Sequence, residues 1–184
     1  EKANRYFTMM VYLTLIIGVV LAVSGFIFMR PIAYLLGATD AMIGDCVAYG
    51  RIMNTFTTAY MLQYLFQSFF VTAQKPQLGF WVTVAAGLAN IVLDALFVGV
   101  LGWGVKGAAW ASVIGQCIGG VLPLFYFMRP NHSLLQLKKT GLEIQILAKA
   151  CFNGSSELMT SISASLVGIL YNFQLLKYAG ENGV

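Results

Sequence analysis

The stretch QLGFWVTVAAGLANIVLDALFVGVL, residues 77–101, decides the fold. It is apolar for long enough to cross a hydrocarbon core, which takes about 20 residues as a helix. Yet it carries Asn90 and, four residues later, Asp94. A carboxylate at that depth costs roughly 2.5–3.5 kcal/mol or more unless it is paired, hydrated or protonated, so it marks function before it marks stability. Thr83, Gly87, Asn90 and Asp94 follow an i, i+4, i+7, i+11 spacing. That spacing puts them on one helical face, and the remaining Val, Leu, Ala and Phe suit lipid or packing.

The rest of the chain fits this setting. Of its 184 residues 59% are hydrophobic and 10% charged. Globular domains carry about 25% charged residues, so the composition belongs to a polytopic membrane protein. Further apolar stretches cover residues 6–29, 41–72, 107–128 and 146–178, the last interrupted by the polar patch 153–157. Residues 30–40, with Pro31, Gly37 and Thr39-Asp40, read as a turn and helix cap. Residues 73–76 and 102–106 read as tight turns. Residues 129–145, with Pro130, Lys138, Lys139 and leucines 134, 135, 137 and 142, read as a linker with an amphipathic portion on the membrane surface. The chain opens without Met and closes shortly after an apolar stretch, as a piece of a longer protein would.

With the N-terminal end inside, Lys2, Arg5, Lys75, Arg129, Lys138, Lys139 and Lys149 lie on the cytoplasmic side. Arg30, Arg51, Lys106 and Lys177 lie on the other, and this bias favours that orientation. The tryptophans at 81, 103 and 110 then fall at the interfaces. The net charge of +4 comes from these flanks and forms no basic stripe, so nucleic acid is not an expected partner. Cys46, Cys117 and Cys151 are widely spaced packing residues rather than metal ligands. No nucleophile–base pair appears, and no enzyme activity or cofactor is expected. Gly102–Gly107 lacks phosphate-loop spacing. Asn131-His132-Ser133 and Asn153-Gly154-Ser155 match the glycosylation pattern only by chance. His132, Asp40, Asp45 and Glu181 read as solvated, loop or cap residues.

Depth ties the third and fourth stretches together. Asp94 lies about 10 Å from the end of its helix, and Ser112 about 8 Å from the start of the next. A short turn joins them, so Asn90, Asp94 and Ser112 are expected at one level. A carboxylate, an amide oxygen and a hydroxyl suit a proton or Na⁺ rather than a soft metal. The same three groups also suit a satisfied hydrogen-bond cluster between two helices. Gln116 follows Ser112 by one turn, beside Gly115 and Gly119, whose spacing allows close backbone approach. In the second stretch Arg51, Asn54, Thr55 and Thr58 form one polar stripe, and Tyr60, Gln63 and Gln67 another. Such stripes line a water-filled cavity or bond neighbouring helices. Glu157 reads equally as functional or as a surface carboxylate.

Gln74-Lys75-Pro76, then Asn90-Ile91-Val92-Leu93-Asp94, then Gly102–Gly107 and Ala108-Ala109-Trp110-Ala111-Ser112 with Gln116 resemble the multidrug and toxic compound extrusion (MATE) family. The resemblance is weaker at Leu36-Gly37-Ala38, Tyr49, Arg51 and residues 180–184. It implies an all-α polytopic transmembrane helix bundle, helices three to seven of a twelve-helix, two-lobe transporter. Residues 1–128 would be part of the amino-terminal lobe. Residues 129–145 would be the cytoplasmic inter-lobe linker, and 146–184 the first helix of the carboxy-terminal lobe. The implied activity is export of drugs or cationic, amphipathic organic compounds in exchange for H⁺ or Na⁺, in the plasma or inner membrane. The protein would work as a monomer with membrane lipid and drug-like molecules as its partners.

One branch of the family builds a cation site from the Asn and Asp of helix five, a Thr on helix six and an Asp on helix one. Asn90 and Asp94 match it, Ser112 replaces the Thr, and the helix-one Asp lies outside this sequence. The helix-seven Glu of another branch falls near Ser165, so its role does not pass to Glu157. Asn54, Thr58, Gln63, Gln67 and Gln116 are the expected lining of the substrate cavity. Two other readings fit the residues. A flippase-like relative moving lipid-linked sugars would show more Arg and Lys in its spans than Arg51 alone. A non-transporting membrane protein would use the polar cluster structurally.

Overall fold

The computed structural model describes residues 2–129, 133–138, 141 and 143–179. The chain folds as helices α1 (Lys2–Leu35), α2 (Ile43–Thr55), α3 (Thr57–Thr72), α4 (Pro76–Asp94), α5 (Gly104–Met128) and α6 (Ile144–Ala179). A π-helical segment, Ala95–Val100, continues α4 directly after Asp94. Four of the described helices are long and apolar enough to cross a membrane: α1, α4 with its π extension, α5 and α6.

Three boundaries differ from the sequence-based expectation. The turn expected at residues 30–40 begins only after Leu35, because α1 runs on through Pro31. Proline removes one backbone donor and clashes with the preceding turn, but packed apolar helices tolerate it. Thr39 caps the turn through its carbonyl, which accepts from Met42 N and Ile43 N. The stretch 41–72 is two helices meeting at Phe56, whose amide donates to Met53 O in a tighter turn. The polar patch 153–157 does not interrupt α6, where Ser155 Oγ donates to Phe152 O.

Helix α5 is the hub, packing against α4, α3 and α2, while α1 packs against α2 and α3. Small residues set these distances. A methyl on Gly115 would sit 3.0 Å from Ala86 O on α4, and one on Gly120 would strike Ala59 O on α3. Thus the small-residue face of α5 serves two helices: Gly115 meets α4, whereas Gly119 meets the Gln63 side chain on α3. The turn into α5 needs glycine, since Gly102 and Gly104 hold φ of +64° and +57°, where a side chain is strained. Trp103, between them, stacks on Phe97 at 5.0 Å.

The hydrophobic core lies at the end of the bundle that holds the start of α1. Phe7, Val11, Leu62, Phe66, Phe70, Phe127 and Leu135 are buried together. Phe7 meets Phe69 and Phe127 edge-on at 4.8 and 4.9 Å. Leu135 belongs to residues 129–145, expected as a linker with an amphipathic portion on the membrane surface. Its described residues 133–138 run without helix across the base of α1, with Leu135 buried. Gln136 N donates to Asn4 Oδ1 at 3.2 Å, Lys138 N to Thr8 Oγ1 at 3.1 Å and Leu137 N to Phe127 O at 3.1 Å. Arg5 pairs with Glu143. Backbone donors leaving the helical pattern need acceptors, and α1 and α5 supply them. Pro130, Asn131, His132, Lys139, Leu142 and residues 180–184 lie outside the described residues. Beyond this strap α6 is exposed along nearly all its length.

Candidate functional site

Away from the aromatic end, polar side chains from three helices face one another. Gln63 of α3, Thr83, Ala86, Gly87 and Asn90 of α4, and Ser112, Gly115 and Gln116 of α5 line a cavity of about 280 Å³. Thr83, Gly87 and Asn90 share one face of α4 because helical side chains three and four apart stack. Gly87 leaves open space where a side chain would otherwise fill the cavity. Gly115 lets α5 approach closely enough for its neighbours Ser112 and Gln116 to reach the same space.

Within this cleft Asn90 Nδ2 donates to Ser112 Oγ at 3.4 Å. The bond is long and therefore weak. It uses the amide nitrogen of Asn90 and not its amide oxygen. At the rim Gln67 Nε2 donates to Thr83 Oγ1 at 3.3 Å, and Thr83 in turn donates to Gly79 O at 2.9 Å. Among the described residues, two buried side-chain oxygens have no hydrogen-bond partner: Asp94 Oδ1 and Gln116 Oε1. An unmet buried acceptor costs about 1–3 kcal/mol. Each therefore points to an occupant that would complete it.

Asp94 sits one turn beyond Asn90, outside the lining of the cavity, at the point where the α-helix becomes π-helical. The wider ladder shows in Leu101 N, which donates to Leu96 O at 2.9 Å. Such π turns recur at functional sites because they displace side chains from the regular 3.6-residue register. The structure thus brings Asn90 to Ser112, and places Asp94 one turn further along α4 with no donor to its Oδ1.

The MatE family model matches residues 1–96, just over half of the chain. The chain belongs to the MatE family. It is 24% identical over 178 residues to the "Multidrug export protein MepA" of Staphylococcus haemolyticus (strain JCSC1435), which covers 96% of this chain and 39% of that protein. It is 30% identical over 131 residues to the "Probable multidrug resistance protein YoeA" of Bacillus subtilis (strain 168), covering 69% of this chain and 28% of that one. The MatE chain therefore spans well under half the length of these relatives. Its fold covers 42% of a solved chain described as the inward-facing conformation of a multidrug resistance MATE family transporter of the MOP superfamily. That alignment includes 98% of the present chain at a TM-score of 0.90 and 19% identity. At that identity the likeness establishes the fold, an all-α membrane helix bundle.

Within the MatE fold the expected lining residues divide. Gln63 and Gln116 face the α3–α4–α5 cavity, and Gln67 sits at its rim through Thr83. Asn54 lines a second cavity instead, while its Nδ2 donates to Ala22 O of α1 at 2.6 Å and its Oδ1 accepts from Thr57 Oγ1 at 3.4 Å. Thr58 packs against Gly18 of α1 and lines neither this cavity nor the second one described below. The break at Phe56 explains the division, because it separates Asn54 from the Gln63–Gln67 face of α3. Glu157 stands exposed on α6. Tyr60, Met53 and Thr57 border a second cavity that the polar pattern alone did not single out. The signal available was Tyr60 itself, on the same stripe as Gln63.

Proposed function

We propose that this chain is part of a cation-coupled antiporter that exports drug-like, amphipathic or cationic organic compounds across the cell membrane. The observation that carries the reading is the uncommitted Asp94 carboxylate oxygen at the α-to-π transition, one helical turn from the Asn90–Ser112 pair. Its similarity to a multidrug export protein and to a probable multidrug resistance protein supports it.

The mechanism follows from what each group offers. Asp94 takes up a proton or Na⁺, Asn90 adds an amide oxygen, and Ser112 a hydroxyl. Oxygen donors of this kind suit hard cations. Binding removes the unmet-acceptor penalty at Asp94 and changes the charge at the α4–π junction. Rearrangement there shifts the balance between two bundle states, since a ligand moves an equilibrium by its differential affinity for them. The helix interfaces made by Gly115 and Gly120 carry the movement, because close-packed backbones move as units.

Efflux of a fluorescent cation by cells making the full-length protein tests this. At matched expression, Asp94→Asn is expected to reduce efflux to the background of non-expressing cells. Efflux at the wild-type rate by Asp94→Asn contradicts the proposal. A flippase-like exporter of lipid-linked sugars is disfavoured by the cavity lining, which contains Gln, Asn, Ser and Thr but no Arg or Lys.

A further inference from the structure

A separate cavity, of about 360 Å³, lies between α1, α5 and the strap. Its walls are apolar: Val11 and Leu15 of α1, Leu124 and Met128 of α5, and Leu137 of the strap. Tyr12 and Lys138 alone bring side-chain oxygen or nitrogen to the lining. Val11 belongs to the aromatic core, whereas Met128 is 59% exposed, so the cavity runs from the edge of the core to the surface. Both helices are apolar enough to cross a membrane, and Met128 is the last residue of α5 before Arg129. The cavity therefore sits at the border between hydrocarbon and the cationic flank of the bundle.

Lys138 decides what fits there. Its backbone amide fastens the strap, donating to Thr8 Oγ1, which leaves its exposed side chain out of that bond. Among the described residues no carboxylate pairs with its ammonium group. Arg5, one turn before Thr8, is by contrast paired with Glu143. An apolar protein segment laid into the cavity would match its walls and leave the Lys138 charge unanswered. An anionic phospholipid answers both, with an acyl chain for the walls and a headgroup for the cation. Basic pockets at the cytoplasmic ends of membrane helices hold anionic headgroups in this way. Packing a chain against helices gains little within a bilayer, where the alternative is equally apolar, so the headgroup sets the preference.

We propose that the α1–α5–strap cavity seats one anionic phospholipid, its acyl chain against Val11, Leu15, Leu124 and Met128 and its headgroup at Lys138. The lipid then braces the strap against both helices from the membrane side. The proposal draws on neither Asp94 nor the coupling cation.

The test is native mass spectrometry of the purified full-length protein with equal amounts of dioleoyl phosphatidylglycerol and dioleoyl phosphatidylcholine. Wild type is expected to retain the anionic lipid about fivefold over the zwitterionic one in its first bound lipid. Lys138→Gln keeps the backbone bond of the strap and is expected to bring the two lipids within about twofold of each other. Lys149→Gln removes an exposed charge from α6 and is expected to leave the fivefold preference intact. Met128→Trp adds bulk at the exposed wall and is expected to lower retention of both lipids. Glycerol 3-phosphate, a headgroup phosphate without chains, is expected to leave the bound lipid in place even in large excess.

Equal retention of the two lipids by wild type overturns the proposal. So does a preference that survives Lys138→Gln or falls equally with Lys149→Gln, since surface charge in general would then explain it. Unchanged retention by Met128→Trp, or displacement by glycerol 3-phosphate, removes the acyl chain from the site and overturns it too. Retention of no lipid at all assigns the cavity to another part of the protein and contradicts the proposal.

Discussion

The two ends of the bundle are built on opposite terms. At one end Phe7, Phe66, Phe127 and Leu135 are at most 2% exposed, and the three phenylalanines pack ring against ring. At the other, Asp94 and Gln116 each keep a buried oxygen without a hydrogen-bond partner, and the Asn90–Ser112 bond is stretched to 3.4 Å. Close packing holds one arrangement and resists change. Unmet polar groups leave an energetic gap for a ligand to fill. The contrast assigns stability to the aromatic end and function to the cleft, and substitutions at the two ends should separate accordingly.

The largest expected effect is at Gly120. Gly120→Ala drives a methyl into the Ala59 carbonyl, and folded full-length protein should fall to a small fraction of wild type in detergent by size-exclusion profile. Gly87→Ala is the matching change in the cleft. It meets open space, so yield and profile should stay at wild-type level. Equal yields for the two would break the comparison.

Phe66→Ala should cost about 3–5 kcal/mol and lower the thermal midpoint clearly, while the cation concentration giving half-maximal transport stays put. Thr8→Val removes the acceptor for Lys138 N and should cost about 1 kcal/mol in the same melting assay, again without changing cation dependence.

Ser112→Ala should do the reverse. Stability changes little, because its bond to Asn90 is long, while half-saturation by the coupling cation rises about fivefold. Ser112→Thr should stay within about twofold of wild type, since the hydroxyl remains. A melting shift in Ser112→Ala as large as in Phe66→Ala would show that the cleft is structural.

Much of this division was legible in residue spacing. The 25-residue apolar stretch with one polar face gave both the helix and its orientation toward α5. The short turn through Gly102 and Gly104 made Asn90 and Ser112 neighbours. Less legible was where continuous apolar patterns break or continue. Hydropathy alone does not register the tight turn at Phe56, which sets Asn54 at a different cavity from Gln63, nor the packing of Thr58 on Gly18 of α1. Nor does it show that α1 passes Pro31, because neighbouring helices compensate for proline only after packing. The contacts of the strap were not legible either. Its leucines fitted an amphipathic portion of a linker, but the acceptors that hold it, on Asn4 and Thr8, are more than 120 residues away. The π segment after Asp94 has no proline or glycine pair to announce it. It is set by how α4 meets the turn into α5, a tertiary matter.

The most direct test of the central claim is drug-evoked dissipation of an imposed H⁺ or Na⁺ gradient in proteoliposomes of the full-length protein. Wild type should dissipate one of the two gradients when an exported cation is added. Asp94→Asn should bind the same compound and leave both gradients intact. Dissipation by Asp94→Asn at the wild-type rate would contradict the assignment of coupling to this carboxylate.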